Sequence, residues 1–142
     1  MIIIDANILI YAINRDASHH QKARKWLEAT LSGTAEVGIP LLVILAFIRI
    51  TTHAGIMPHP LTCEEAVTYI DGWLQQPFVT MINPGDKHWQ IFRNLIQVTG
   101  TAANLTSDVH IAALAIEQGA EIYSADYDFR RFTEIKHVNP LE

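Results

Sequence analysis

At 142 residues the chain has the length of one ordinary domain, read here as residues 1–142, and a composition of 49% hydrophobic and 18% charged residues excludes disorder and low-complexity architecture. Ten Lys and Arg against fifteen Asp and Glu give a formal charge of −5, so bulk electrostatics alone do not explain holding a nucleic acid. An anionic substrate needs a local basic patch, a basic partner, or metal ions on some of those carboxylates.

The lone Cys63 excludes an intrachain disulfide and a CxxC site. Met1-Ile2-Ile3-Ile4-Asp5 lacks the features of a signal peptide, and the apolar run from Val37 to Ile50 is shorter than the ~20 residues that cross a bilayer. The expectation is a reducing, cytoplasmic setting with no membrane partner.

In chain order, Met1 to Ile4 reads as a buried central strand whose carboxyl end delivers Asp5 to the sheet edge. Ser18-x-x-Gln21 has the pattern of a capping box and predicts a helix from about His19 to Leu31. Glu36 to Ile39 reads as a second strand. Pro40 then suits the first turn of an apolar helix to about Thr52, expected to be sandwiched in the core. The Gly and Pro residues between Ala54 and Pro60 mark a loop, and Thr62-x-x-Glu65 is a second capping box for a helix to about Gln75. Phe78 to Ile82 reads as a strand, His88 to Val98 as a helix stopped at Gly100, Thr106 onward as a helix stopped at Gly119, and Glu121 to Tyr123 as a strand. Strands alternating with helices, without repeat or linker, predict a single α/β domain with a mostly parallel central sheet flanked by helices.

Ligands in such folds bind at the carboxyl ends of strands, where Asp5, Asp126 and Asp128 fall. Asp108 opens the helix leading back into the strand that precedes Asp126. Carboxylates gathered there repel one another unless cations or protons balance them, and hard oxygen donors suit Mg²⁺ or Mn²⁺. Taken singly, each acid has a plainer reading: Asp108 as a helix-dipole residue, Asp5 as a cap on the turn after the strand, Asp126 and Asp128 as Asx-turn residues. Asn7 is placed to fix Asp5 or a water at the site.

These residues carry a resemblance. Ile3-Ile4-Asp5-Ala6-Asn7-Ile8-Leu9 resembles the opening motif of PIN-domain ribonucleases, Asp108 to Ala115 their third motif, and Ser124-Ala125-Asp126-Tyr127-Asp128-Phe129 their closing motif. Over essentially the whole chain, length and motif order are most similar to VapC-type toxins of bacterial toxin–antitoxin pairs. The resemblance implies an endoribonuclease dependent on Mg²⁺ or Mn²⁺, acting on tRNA, rRNA or mRNA and inhibited by a cognate VapB-like antitoxin, with a homodimer expected. It implies catalytic and metal roles for Asp5, Asp108 and Asp126, and a supporting role for Ser124.

The chain departs from the family pattern at Leu45-Ala46-Phe47, where a Glu is customary in place of Phe47. Asp128 is the candidate substitute, ahead of Glu64, Glu65 and Asp86. The alternative reading is therefore a catalytically inactive PIN-like module that binds RNA or a partner, with a haloacid-dehalogenase-like phosphatase ranked behind it.

Arg49, Arg130 and Arg131 are the candidates for gripping phosphate, Arg49 foremost because it interrupts an apolar helix. His110, two residues after Asp108, is a candidate substrate contact, while the spacing of the seven His residues offers no zinc motif. Leu41, Leu42, Ile44, Leu45, Phe47 and Ile48, with Val67, Ile70, Trp73 and Leu74, exceed what one small core needs and suggest a dimer face or a groove for the antitoxin.

Overall fold

The computed structural model describes residues 1–142. Five parallel strands, β1 (Ile2–Ile4), β2 (Val37–Pro40), β3 (Val79–Ile82), β4 (Glu121–Tyr123) and β5 (His137–Val138), form one sheet in the order β3-β2-β1-β4-β5. The helices are α1 (Ala6–Ile13), α2 (His20–Leu31), α3 (Leu41–Thr51), α4 (Cys63–Leu74), α5 (His88–Thr99) and α6 (Thr106–Gln118). Helix α1 packs on α2 and α3, α3 on α4, and α5 on α6. The predicted parallel α/β architecture is the one observed, and no helix is long and apolar enough to cross a membrane.

Ile3 and Ile4 are fully buried at the centre of this sheet. Strand β1 pairs with β2 on one side and β4 on the other, so the chain builds outward from β1 to β2 and β3 and then crosses back over β1 to β4. The carboxyl ends of β1 and β4 therefore flank the topological switch point, the position where a crevice opens in sheets of this kind.

Helix boundaries follow the local chemistry. Thr62 and Glu65 form the predicted reciprocal capping box, with Glu65 N–H donating to Thr62 Oγ1 at 3.1 Å and Thr62 N–H to Glu65 Oε1 at 3.0 Å. Gly100 and Gly119 take left-handed φ values of 70° and 63° just past α5 and α6, a conformation that stops a helix at least cost when the residue is Gly.

Four expectations need correction. The Ser18–Gln21 box does not form: α2 starts at His20, whose ring is tied back to α1 by Nδ1 donating to the Tyr11 carbonyl at 2.9 Å. Helix α1 is absent from the sequence reading, because its start at Asp5 coincides with the end of a strand. Helix α3 is not sandwiched. Its Val43, Ile44 and Phe47 are buried, whereas Leu41 and Leu45 are 42% and 54% exposed. The buried helix is α6, where Val109 and Ile111 through Ala115 are all in the core. Its three alanines let neighbouring elements approach from several sides. The segment after Tyr123, for which no element is expected, contains β5 and a 3₁₀ helix at Tyr127–Arg131.

Candidate active site

Register assembles the first half of the site. Ile4 of β1 pairs with Tyr123 of β4, so Asp5 and Ser124 are the next residues on neighbouring strands. The Ser124 hydroxyl donates to Asp5 Oδ2 at 2.7 Å and accepts from the Asp126 N–H at 2.9 Å and from Asn7 Nδ2 at 3.2 Å. One donor and two lone pairs are thereby all used.

Asn7, in the first turn of α1, also accepts from the Ala125 N–H at 3.2 Å and places its amide 3.4 Å from Asp5 Oδ2. Asp5 caps α1, its Oδ1 accepting from the Ala6 N–H at 2.8 Å. A network spanning almost the whole sequence thus fixes the end of β1 to the loop after β4.

That loop presents the remaining acids. Asp126 caps the 3₁₀ helix and accepts from the Asp128 N–H at 2.9 Å, an Asx turn that sets the two carboxylates side by side. Asp108 comes from the first turn of α6. Carboxylate oxygens of Asp108, Asp126 and Asp128 lie within 4.8 Å of one another. The plain structural roles of Asp5 and Asp126 are therefore real and coexist with the acid cluster.

Electrostatics follows from this crowding. Burial, then the charges of Asp126, Asp5 and Asp128, push the Asp108 carboxyl up to about 7. Burial also raises Asp5, partly offset by the bonds from Ser124 and Ala6 and by His137, while the Asp126 charge adds to the rise. Asp108 is the acid with the least compensation. Asp128 has a partial partner in Arg131, whose Nε lies 3.6 Å from Oδ1.

The other wall of the crevice comes from α3, which contributes Leu42, Ala46 and Arg49 opposite Asp5 and Asp108. Phe47 does not face this space. It is fully buried, its ring edge-on to Trp73 with centroids 5.0 Å apart, so the customary acid has no counterpart in the crevice at that position. Among the remaining candidates, Arg130 lies over the Tyr127 ring at 4.3 Å and Glu64 and Glu65 sit in the exposed first turn of α4. Asp86 lies in an exposed turn before α5 and is not among the clustered acids.

His110 is turned toward α5, its Nδ1 3.1 Å from His88 Nε2. Burial holds both rings below the ordinary histidine range, with Glu117 opposing the shift of His88 and His88 adding to that of His110. The observed contact of His110 is with His88, between α5 and α6. The sequence reading also missed His137 of β5, which bonds the Ser124 carbonyl; a single His in a two-residue strand carries no local signal.

The PIN domain family model matches residues 2–135. The chain belongs to the PIN-domain family. Within it, the chain is 41% identical over 140 residues to Ribonuclease VapC37 of Mycobacterium tuberculosis, covering 99% of this chain and 97% of that protein. It is 39% identical to Ribonuclease VapC33 of the same organism, covering 99% of both. Among solved PIN folds, VapBC2 from Rickettsia felis bound to a promoter DNA fragment aligns with a TM-score of 0.69 at 20% identity, covering 98% of each chain. VapBC-1 from nontypeable Haemophilus influenzae aligns at 0.69 and 16% identity over the full length of both. These two likenesses concern the PIN fold.

Proposed function

We propose that this chain is a metal-dependent endoribonuclease toxin that hydrolyses RNA phosphodiesters and is restrained by a cognate VapB-like antitoxin. The observation that carries the reading is the convergence of Asp108, Asp126 and Asp128 at the switch point of the sheet, with Asp5 beside them. The names of the full-length relatives, ribonucleases of the VapC group, support the reaction class.

The donor set fits a divalent cation: the ligand atoms are all carboxylate oxygens, and burial together with the charges of the neighbouring acids raises Asp108 far above its usual range. Asp108, Asp126 and Asp128 would hold Mg²⁺ or Mn²⁺, with Asp5 completing the acidic wall. When bound, such a cation supplies Lewis acidity and offsets charge developing on the phosphoryl oxygens.

The protein's own groups do the positioning. Ser124 and Asn7 fix the Asp5 carboxylate, and the Asx turn at Asp126 fixes Asp128. Asp108 would have to be ionised to serve as a ligand, so cation affinity is expected to rise with pH near neutrality. Arg49, on the facing wall, offers a bidentate donor to a phosphate of the bound strand.

For the antitoxin, the reading assigns the surface around Tyr69 and Trp73, where Leu27 and Leu31 provide an apolar floor and the rim carries Arg15 and the Arg24–Glu28 ion pair at 2.9 Å. Self-association through the exposed Leu41 and Leu45 and a cytoplasmic location belong to the same reading.

One observation favours the second reading, an inert RNA- or partner-binding module: α3 brings no carboxylate into the crevice. Cleavage of purified total RNA by antitoxin-free protein in Mn²⁺, in Mg²⁺ and in EDTA, with Asp108→Asn as control, separates them. Discrete fragments that need a metal and vanish in the variant support the nuclease. Intact RNA in both metals, from folded protein, supports the inert module.

A further inference from the structure

Strand β5 is only two residues long and joins the sheet through Ile122 N–H to the Lys136 carbonyl at 2.9 Å and Ser124 N–H to the Val138 carbonyl at 3.0 Å. So short a pairing is a weak anchor for the loop that carries Ser124, Asp126 and Asp128. A side chain supplements it. His137 Nε2 lies 2.8 Å from the Ser124 carbonyl. A carbonyl only accepts, so Nε2 carries the hydrogen in this contact.

The other ring nitrogen, Nδ1, is buried and has no protein partner. The ring packs on Phe129 and edge-on to Tyr127, with centroids 6.1 and 6.0 Å away, both from the 3₁₀ helix that contains Asp128. One imidazole therefore touches both ends of the acidic loop: its start by a hydrogen bond, and its far side by packing.

We propose that His137 is a positioning residue for the acidic site, its Nε2–H holding the Ser124 peptide so that the Ser124 hydroxyl and the Asp126–Asp128 turn stay in place. Its hydrogen bond is to main chain and to no carboxylate, and its influence on Asp5 is electrostatic and at a distance. Its relevance to metal binding rests on the reading above, whereas its effect on the loop does not.

The test pairs His137→Gln with His137→Asn. Gln places an amide donor where Nε2 stands; Asn places one near Nδ1, too short to reach the Ser124 carbonyl. Amide hydrogen exchange of Asp126 and Asp128, whose N–H groups bond Ser124 Oγ and Asp126 Oδ1, is measured by NMR on metal-free protein. Mn²⁺ affinity is measured alongside by calorimetry.

The expected result is exchange at least tenfold faster at both amides in His137→Asn, near wild-type rates in His137→Gln, and Mn²⁺ affinity tracking the exchange. Wild-type exchange in His137→Asn overturns the proposal. So does equal acceleration in the two variants, which makes ring packing the decisive contact. Global unfolding of either variant also overturns it, since His137 then supports the whole fold. If wild-type protein binds no Mn²⁺, the metal reading falls while the exchange data still decide the role of His137.

Discussion

Asp108 is the residue at which the fold and the site conflict most directly. Its carboxyl, raised to about 7 in the metal-free protein, keeps its proton in the folded chain over a range where the unfolded chain has lost it. The sign follows: between about pH 4 and pH 7 the folded state binds more protons, so this group's contribution to stability falls as pH rises. Asp108→Asn removes that dependence. Because the side chain is about half exposed, the gain is discounted to ~1 kcal/mol, or roughly 3 °C in melting temperature. The variant is expected to melt above wild type at pH 8 in EDTA, with the gap closing by pH 4 and reversing when Mn²⁺ is added at pH 8. Scanning calorimetry at the two pH values checks this, and a variant less stable at pH 8 would show that Asp108 is compensated in the apo protein. The acids themselves were legible in the sequence because each ends a strand or opens a helix within a recognisable motif. Their division of labour was not. In the folded chain Asp5 is bonded to Ser124 and Ala6, whereas Asp128 joins Asp108 and Asp126.

At the level of elements, α3 illustrates how a motif and a helix face can disagree. Matching Leu45-Ala46-Phe47 to the family pattern put the missing acid at Phe47, yet the helix turns that position into the core and brings Leu42, Ala46 and Arg49, spaced at about one and two turns, to the crevice. Phe47→Glu would bury a carboxylate against Trp73 with no partner, a cost of several kcal/mol that a domain of this size does not survive. Ala46→Glu should fold and add a carboxylate facing the acidic wall across the crevice, strengthening Mn²⁺ binding about tenfold. Circular dichroism and calorimetry on the pair decide the matter; a folded Phe47→Glu protein with improved Mn²⁺ affinity would restore the motif-based assignment. The same competition between pattern and packing explains the other misses. Capping at Thr62 and the glycine stops were legible because they depend on neighbouring residues alone. Helix α1 was not, since Ala6 to Ile13 is apolar nearly all round and follows a strand without a break. The extent of α2 was legible, but its capping box does not form, and His20 instead bonds the Tyr11 carbonyl.

For the whole molecule, the strand order carries the argument: β1 at the centre, with its neighbours reached by crossovers in opposite directions, gathers acids from three distant parts of the chain at one edge. Elsewhere the groove around Tyr69 and Trp73 is separate from that edge, so Tyr69→Glu should weaken antitoxin co-purification at least tenfold while leaving metal-dependent RNA cleavage unchanged. Loss of both together would place the partner surface across the acidic site. Net charge bears on the substrate itself. A protein with a formal charge of −5 that clusters carboxylates at its crevice repels RNA until those charges are balanced. Wild-type protein in EDTA is therefore expected to bind a single-stranded RNA weakly and with a shallow salt dependence, because few phosphates are neutralised by side chains. Mn²⁺ should tighten binding severalfold. At pH 8, where Asp108 is ionised, replacing Asp108 and Asp126 together by Asn removes two of the repelling charges without removing Arg49, so the double variant should bind RNA more tightly than wild type in EDTA and lose the response to Mn²⁺. Fluorescence anisotropy at two salt concentrations measures both effects. Equal affinity of wild type and variant in EDTA would mean that RNA does not pass over the acids, and the crevice would then have to serve a different ligand.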